Sequence, residues 1–231
     1  ASLAGNINIT WPSGLLATGR YDFSITVDAL DEVFEENATA TAESNNVTVQ
    51  TITSAPDMQI QNLRVTSSSL QSGGILTIEW DDLNAGAAAT PGDWSDRILV
   101  WNPSIGQYII NTAIEYDSAT LGHLQAGNSV ARSFSVQLPD GIRGAGDLQI
   151  DIRVDQNING QGALVEAAEG ISNAENNNRA LLTVNSALPD YADLIVSDLI
   201  LPAIGRGGQT LEMGWTVTNQ GNVASNIDSW S

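Results

Sequence analysis

The chain repeats part of its own sequence, and this internal repeat constrains the fold more than any other feature. Residues 6–28 match residues 133–155 without a gap, with apolar residues, turn residues and a closing Val-Asp pair in the same places. Residues 58–94 match residues 194–230 in the same way, with small changes of spacing in the loops. A repeat of domain length predicts an array of similar domains.

The two matches start at different points of the repeat, so they divide the chain into one whole unit and two partial ones. Residues 55–188 form the complete unit, 1–54 the C-terminal part of one unit, and 189–231 the N-terminal part of the next. The joints are Ala55-Pro56 and Leu188-Pro189, and a proline restricts the residue before it to extended conformations. We therefore expect a stiff string of domains, cut or observed as a segment of a longer tandem array.

Apolar and polar residues alternate along several short segments of the complete unit. Leu76, Ile78 and Trp80 alternate with Thr77 and Glu79, a pattern typical of a strand with one face on a core. Such segments predict strands near 58–65, 75–82, 97–102, 107–115, 130–138, 147–155 and 179–185. Seven strands separated by Gly, Asn, Pro and Asp turns predict an all-β fold, a two-sheet sandwich with Trp80 in its core.

The charge balance excludes several classes of function. The 231 residues include 27 acidic and 8 basic residues, every basic one an Arg, for a net charge of −19. Nucleic-acid binding requires a basic surface, so we expect no such partner. There is no Cys for a disulfide or a thiol nucleophile, and one His gives an enzyme no positive support. No apolar run approaches the roughly 20 residues that span a bilayer, so we expect no membrane insertion.

A set of short motifs recurs in a fixed order along the chain. In the complete unit they are Pro56-Asp57, Leu76 to Trp80, Asn84, Gly86, Trp94, Asp96, Leu138-Pro139, Gly146, Val154-Asp155, Val165-Glu166 and Glu175 to Asn177. In the partial units they are Val27-Asp28, Val33, Glu35, Asn45-Asn46 and Asp193-Leu194. This order resembles the bacterial cell-adhesion-related domain known as CARDB. The resemblance implies tandem Ig-like seven-stranded β-sandwich domains in a large secreted or surface protein of bacteria or archaea, and it implies no particular ligand.

Acidic and amide side chains cluster after the Val-Asp pair of each unit. The candidate ligands for a metal ion are Asp28, Asp31, Glu35 and Asn45 in the first unit and Asp155, Glu166, Glu175 and Asn177 in the complete unit. Ca²⁺ requires six to eight oxygen ligands, and a loop of this composition supplies them. The alternative interpretation is a solvated acidic loop in which the pair Asn177-Asn178 caps turns through bonds to the backbone.

We expect a non-catalytic structural or adhesion module of a long extracellular or cell-surface tandem-repeat protein, acting as a stalk or a filament-forming repeat. Its partners would be neighbouring repeats of the same protein or further copies in a filament. The alternative is a carbohydrate- or protein-binding accessory domain of a secreted enzyme. That alternative predicts exposed, coplanar aromatic side chains on one sheet face, and Trp94 and Trp101 are the candidates.

Overall fold

The computed structural model describes residues 4–12, 14–167 and 174–225. The chain divides into two compact units, Ala1–Ser186 and Ala187–Ser231. No helix among the described residues is long and apolar enough to cross a membrane. The strands are β1 Gly19–Thr26, β2 Val47–Ser54, β3 Met58–Val65, β4 Ile75–Asn84, β5 Trp94–Asn102, β6 Gln107–Tyr116, β7 Ser129–Gln137, β8 Gly146–Arg153, β9 Arg179–Ser186, β10 Leu194–Ile200 and β11 Gly214–Asn219. One short helix, α1, covers Ser118–Leu121.

Strands β3 to β9 form the two-sheet sandwich that the sequence predicts. One sheet has the order β3-β4-β7 and the other the order β6-β5-β8-β9, and all neighbours are antiparallel. The core between the sheets contains these fully buried side chains: Leu76, Ile78, Trp80, Ile98, Val100, Leu148, Ile150 and Ile152. The all-β sandwich fold is thus confirmed. Burial of each large apolar side chain contributes roughly 1.5–3 kcal/mol, which is why the alternating pattern fixes which face turns inward.

The core also contains a cluster of three charged side chains that was not predicted from the sequence. Asp82, Asp96 and Arg132 are buried together, with Arg132 Nε 2.8 Å from Asp96 Oδ2 and 3.3 Å from Asp82 Oδ2. The indole N–H of Trp80 donates to Asp82 Oδ1 (3.0 Å), and that of Trp94 donates to Asp82 Oδ2 (3.3 Å). Burial and the charge of Asp96 raise the pKa of Asp82 well above its usual range, and burial also raises that of Asp96. The two carboxyl groups therefore retain a proton at pH values where an exposed Asp is ionised.

The hairpin β1–β2 has the same register as the pair β8–β9. A glycine at the start of one strand faces a serine at the end of the other in both cases, Gly19 with Ser54 and Gly146 with Ser186. Both hairpins contain eight paired positions without a shift of register. Residues 1–54 therefore contain a hairpin with the same strand register as β8–β9.

The hairpin β10–β11 likewise has the backbone of β3–β4. Each shifts register once, between Gln61 and Arg64 in β3 and between Ser197 and Ile200 in β10. Each shift contains a non-glycine residue with a left-handed backbone, Asn62 and Asp198, both with φ 53°. The turn ahead of β4 has its left-handed glycine at Gly73 (φ 74°), and the matching turn has it at Gly208 (φ 79°). The backbone therefore aligns Gly73 with Gly208, one residue away from the pairing that the sequence match gives.

The start of β3 is held by an asparagine corner at the end of β4. Asn84 Oδ1 accepts the backbone N–H groups of Asp57 (3.2 Å) and Gly86 (3.1 Å), while the Ala85 N–H donates to the Asp57 carbonyl (2.7 Å). A Cβ on Gly86 would lie 2.4 Å from the Asp57 nitrogen, so the close approach requires glycine.

The same corner recurs in the second compact unit. Asn219 Oδ1 accepts the N–H groups of Asp193 (2.9 Å) and Gly221 (3.0 Å), and the Gln220 N–H donates to the Asp193 carbonyl (2.7 Å). A Cβ on Gly221 would lie 2.2 Å from the Tyr191 carbonyl oxygen. The motif Asn-x-Gly after a strand thus encodes one local structure in both places.

Residues 1–54 lie in the same compact unit as β3 to β9. The Thr18 hydroxyl donates to the Ala89 carbonyl at 3.2 Å. The division into 1–54, 55–188 and 189–231 stays a prediction, and the last six residues of its third segment lie outside the described residues.

Candidate cation site

The candidate site is built on Asp155, two residues after the end of β8. Asp155 has a left-handed backbone (φ 50°) and is 1% exposed. Its carboxylate accepts the backbone N–H of Ala163 at Oδ1 (2.9 Å) and that of Leu164 at Oδ2 (3.0 Å). The loop after β8 is therefore folded back over its own first residue, and this brings Glu166 beside the sandwich.

Glu166 connects the loop to the first strand of the sandwich. Its Oε2 accepts the backbone N–H of Met58 at 2.7 Å, and the Ala167 N–H donates to the Pro56 carbonyl at 3.0 Å. The amide of Asn178 donates to Glu166 Oε1 (2.9 Å) and to Glu175 Oε2 (3.3 Å). The loop and the beginning of β3 are thereby held together through carboxylate groups.

Three carboxylates meet at this point. Asp155, Glu166 and Glu175 each place an oxygen so that the three atoms lie within 4.8 Å of one another. Burial, with a smaller contribution from the charge of Glu175, raises the pKa of Asp155 to about 6 and that of Glu166 to about 8. Burial also raises the pKa of Glu175. Because carboxylates are hard oxygen ligands that repel one another, a divalent cation here would supply the missing positive charge.

The adjacent pair Asn177 and Asn178 divides its contacts. Asn178 is 2% exposed and touches the carboxylates, and its Oδ1 has no hydrogen-bond partner among the described residues. Asn177, the predicted ligand, instead donates its amide to Asp57 Oδ1 at 2.9 Å. An amide that exchanges its two ends would present Asn178 Oδ1 to a cation. The loop therefore offers an oxygen ligand next to the one that the sequence singles out.

The four candidates of the first unit occupy a similar but open loop. Asp28 has the left-handed backbone of its counterpart Asp155 (φ 51°), and its carboxylate accepts the N–H groups of Glu32 (2.9 Å) and Val33 (2.8 Å). These bonds make Glu35 the counterpart of Glu166, because each Glu follows its second bonded residue by two positions. Asp31 and Asn45 are exposed, and among the described residues the four do not form a three-carboxylate cluster.

The comparisons with known proteins concern the fold. No family model matches the chain, and no curated protein matches it. A crystal structure of the CARDB domain of a Pyrococcus furiosus protein, in complex with di-metal ions, has a TM-score of 0.38 and 18% identity and covers 58% of this chain and 90% of that one. A solution NMR structure of the same domain has a TM-score of 0.39 and 18% identity and covers 59% of this chain and 99% of that one.

A second kind of protein also has a similar part. The β-glucosidase of Listeria innocua, in complex with glucose, has a TM-score of 0.34 and 12% identity. The match covers 57% of this chain but 16% of that enzyme. All of these likenesses concern the fold alone.

Proposed function

We propose that this chain is a segment of a long extracellular protein made of tandem Ig-like units, with a structural or adhesive role and no catalysis. The observation that carries the proposal is the reuse of the asparagine corner, from Asp57 and Asn84 to Asp193 and Asn219. The same corner in the next unit favours an array in which each unit begins with the same local structure. Short proline-containing joints would limit bending between units.

We also propose that Ca²⁺ is the cation of the cluster at Asp155, Glu166 and Glu175. Its role would be mechanical, because Glu166 already bonds the Met58 N–H at the start of β3. A cation held by this loop would fix the start of β3 to the acidic loop that follows β8. Three carboxylates are fewer than the six to eight ligands of Ca²⁺, so amide oxygens and water would complete the shell.

A chain extension tests the array. Trp230 matches Trp94 in sequence, so a copy of residues 95–186 appended after residue 230 supplies the strands that β10 and β11 lack for a sandwich. We expect hydrogen exchange of the β10 and β11 amides to slow by about 100-fold or more, since burial in a cooperative core raises the opening free energy. The control is the same extension with Trp215→Asp, which places a charge at the core position and should abolish the gain.

Two outcomes decide between proposals. Unchanged exchange in the extended chain would show that residues 189–231 are not the front of a sandwich. Slow exchange in the unextended chain that appears only at high protein concentration would favour completion by neighbouring copies, as in a filament. Electron microscopy of such a sample would then show a lattice of discrete protomers.

A further inference from the structure

The outer face of the four-stranded sheet has a groove that the core does not require. It is a cavity of about 320 Å³, here called the outer groove, lined by Trp101, Tyr108, Gln149, Asp151, Arg179 and Leu181. A cavity of this size is at the lower end of the range for small-ligand sites. All six residues lie on β5, β6, β8 or β9, so a rigid sheet positions them.

An aromatic pair forms one wall of the outer groove. The rings of Trp101 and Tyr108 are 4.8 Å apart between centroids and meet edge to face at 64°. The pairing of β5 with β6 shifts register between Val100 and Trp101, which sets Trp101 opposite Tyr108. Tyr108 is 54% exposed, so about half of the residue is open to solvent. The sequence-based candidate Trp94 is buried in the core at 1% exposed, so the expected pair of exposed, coplanar rings at Trp94 and Trp101 is wrong. The rings of Trp101 and Tyr108 are not coplanar, so they suit a single sugar ring or chain better than the flat surface of a crystalline polysaccharide.

A fixed set of hydrogen-bonding groups forms the opposite wall. Arg179 donates from Nε to Asp151 Oδ1 and from Nη2 to Asp151 Oδ2, both at 2.8 Å. Arg153 Nη2 also donates to Asp151 Oδ2 at 2.8 Å. Two arginines thus hold one carboxylate in place, and the carboxamide of Gln149 lies on the neighbouring position of β8 on the same face. Such preorganisation reduces the entropy lost when a ligand binds.

The repeated hairpin β1–β2 does not contain these groups. Strands β1 and β2 have the register of β8 and β9, and the inward residues of β1 are apolar like those of β8, while the inward positions of β2 include Thr48 and Gln50. The outward positions of Gln149, Asp151, Arg179 and Leu181 are filled in the first hairpin by Asp22, Ser24, Val47 and Val49. The apolar inward pattern of β8 therefore repeats in β1, while the residues of the outer groove do not repeat, which points to a role specific to the sandwich of β3 to β9.

We propose that the outer groove binds a glycan. The C–H face of a pyranose ring is apolar and slightly positive, and it packs on the negative face of an aromatic ring such as Tyr108. The hydroxyl groups around the ring are both donors and acceptors, so they match the acceptor Asp151 and the donors Arg179 and Gln149. This site is additional to the structural role and does not depend on it.

The test uses the full chain on a glycan microarray that includes β-glucan, mannan, chitin and polyuronate oligosaccharides. Calorimetric titration with the hexasaccharide of the retained class follows, for the natural chain and for Tyr108→Ala, Arg179→Ala and Gln149→Ala. We expect retention of at least one class and a loss of about tenfold or more in affinity for Tyr108→Ala and Arg179→Ala. The matched control is Phe34→Ala, because Phe34 is an aromatic residue that is 85% exposed in the loop between β1 and β2. This variant should bind the oligosaccharide with unchanged affinity.

The results separate the proposal from its rivals. Retention of none of the four classes at millimolar oligosaccharide overturns it, as does binding that survives both Tyr108→Ala and Arg179→Ala. If Arg179→Ala lowers the melting temperature, Tyr108→Ala decides alone, because its exposed ring contributes little to the fold. A preference for polyuronate over neutral oligosaccharides would assign the guanidinium of Arg179 to the sugar carboxylate.

Discussion

The complete unit and the two lone hairpins have the same backbone but bury different amounts of it. Ile152 in β8 is fully buried, while its counterpart Ile25 in β1 is 62% exposed. Trp80 in β4 is fully buried, while its counterpart Trp215 in β11 is 59% exposed. Register, bulge and asparagine corner are nevertheless the same in both settings. Local hydrogen bonding is thus encoded by each short segment, whereas burial requires all seven strands.

The largest difference is expected from removing the paired tryptophans. Trp80→Ala opens a cavity in a closed core and should cost about 3–5 kcal/mol of unfolding free energy. Trp215→Ala removes a ring that is more than half exposed and should change stability by about 0.5 kcal/mol or less. Hydrogen exchange followed by mass spectrometry on β4 and β11 measures the change in each variant relative to the natural chain. Equal losses at the two positions would mean that β11 is as well packed as β4.

A loss of similar size is expected at the buried charges, which have no counterpart in the lone hairpins. Arg132→Met leaves Asp82 and Asp96 without their cation and should cost about 3–5 kcal/mol near pH 7. Since both carboxyl groups can then take up protons, the loss should shrink as the pH falls towards 4. Arg64→Met is the control, because the Arg64–Glu79 bridge is exposed and should contribute less than about 1 kcal/mol. Denaturant titration at several pH values measures both, and a pH-independent loss for Arg132→Met would contradict this account.

An intermediate effect that is the same in both regions is expected at the corner glycines. Gly86→Ala forces a methyl group against backbone atoms of the segment that leads into β3. Gly221→Ala does the same against the segment that leads into β10. Overpacking of this kind costs about 1–3 kcal/mol. Local exchange of the amides of Asp57 and Asp193 should therefore accelerate in both variants. An effect at Gly86 alone would show that the second corner is held less firmly than the first.

Strand positions follow well from the sequence, because seven-strand alternation with turn residues leaves few other options. The predicted strand at 97–102 begins three residues late, since β5 starts at Trp94. The missed part of the strand contains Asp96, whose inward, fully buried side chain interrupts the apolar pattern. Counting every second residue from Ile98 would have placed Asp96 inward. The same count from Trp80 reaches Asp82, so the buried pair has a positional signal that residue polarity conceals.

The candidate sites were less predictable, because they depend on long-range contacts. The sequence singles out Asp155 as a candidate ligand and does not indicate that its carboxylate folds the loop back. The partner of Glu166 is Met58, which lies more than 100 residues away. Asn177 and Asn178 are indistinguishable by composition, and their opposite contacts follow from the turn in which they lie. The outer groove depends on a register shift after Val100 that no local motif indicates.

The smallest expected effect, a few degrees in melting temperature, compares the two acidic loops. Burial raises the folded-state pKa of Asp155 to about 6 and that of Glu166 to about 8, from ordinary values of 3.8 and 4.5. Folded protein without cation therefore holds protons that the unfolded chain releases, so these groups favour folding most below about pH 4, and their contribution declines as the pH rises to about 8. At pH 8 Ca²⁺ should replace those protons, and chelation should lower the melting temperature more at pH 8 than at pH 5.

Two matched variants decide whether the closed loop is responsible. Glu166→Gln removes a carboxylate from the cluster, so it should weaken both the pH dependence and the response to chelator. Glu35→Gln changes the counterpart in the open loop and should retain both. At a Ca²⁺ concentration ten times the dissociation constant the stabilisation would be about 1.4 kcal/mol, a shift of a few degrees that scanning calorimetry resolves. An unfolding transition at pH 8 that is identical with Ca²⁺ and with chelator would contradict the calcium proposal. The carboxylates would then only bind protons and hold the loop in place.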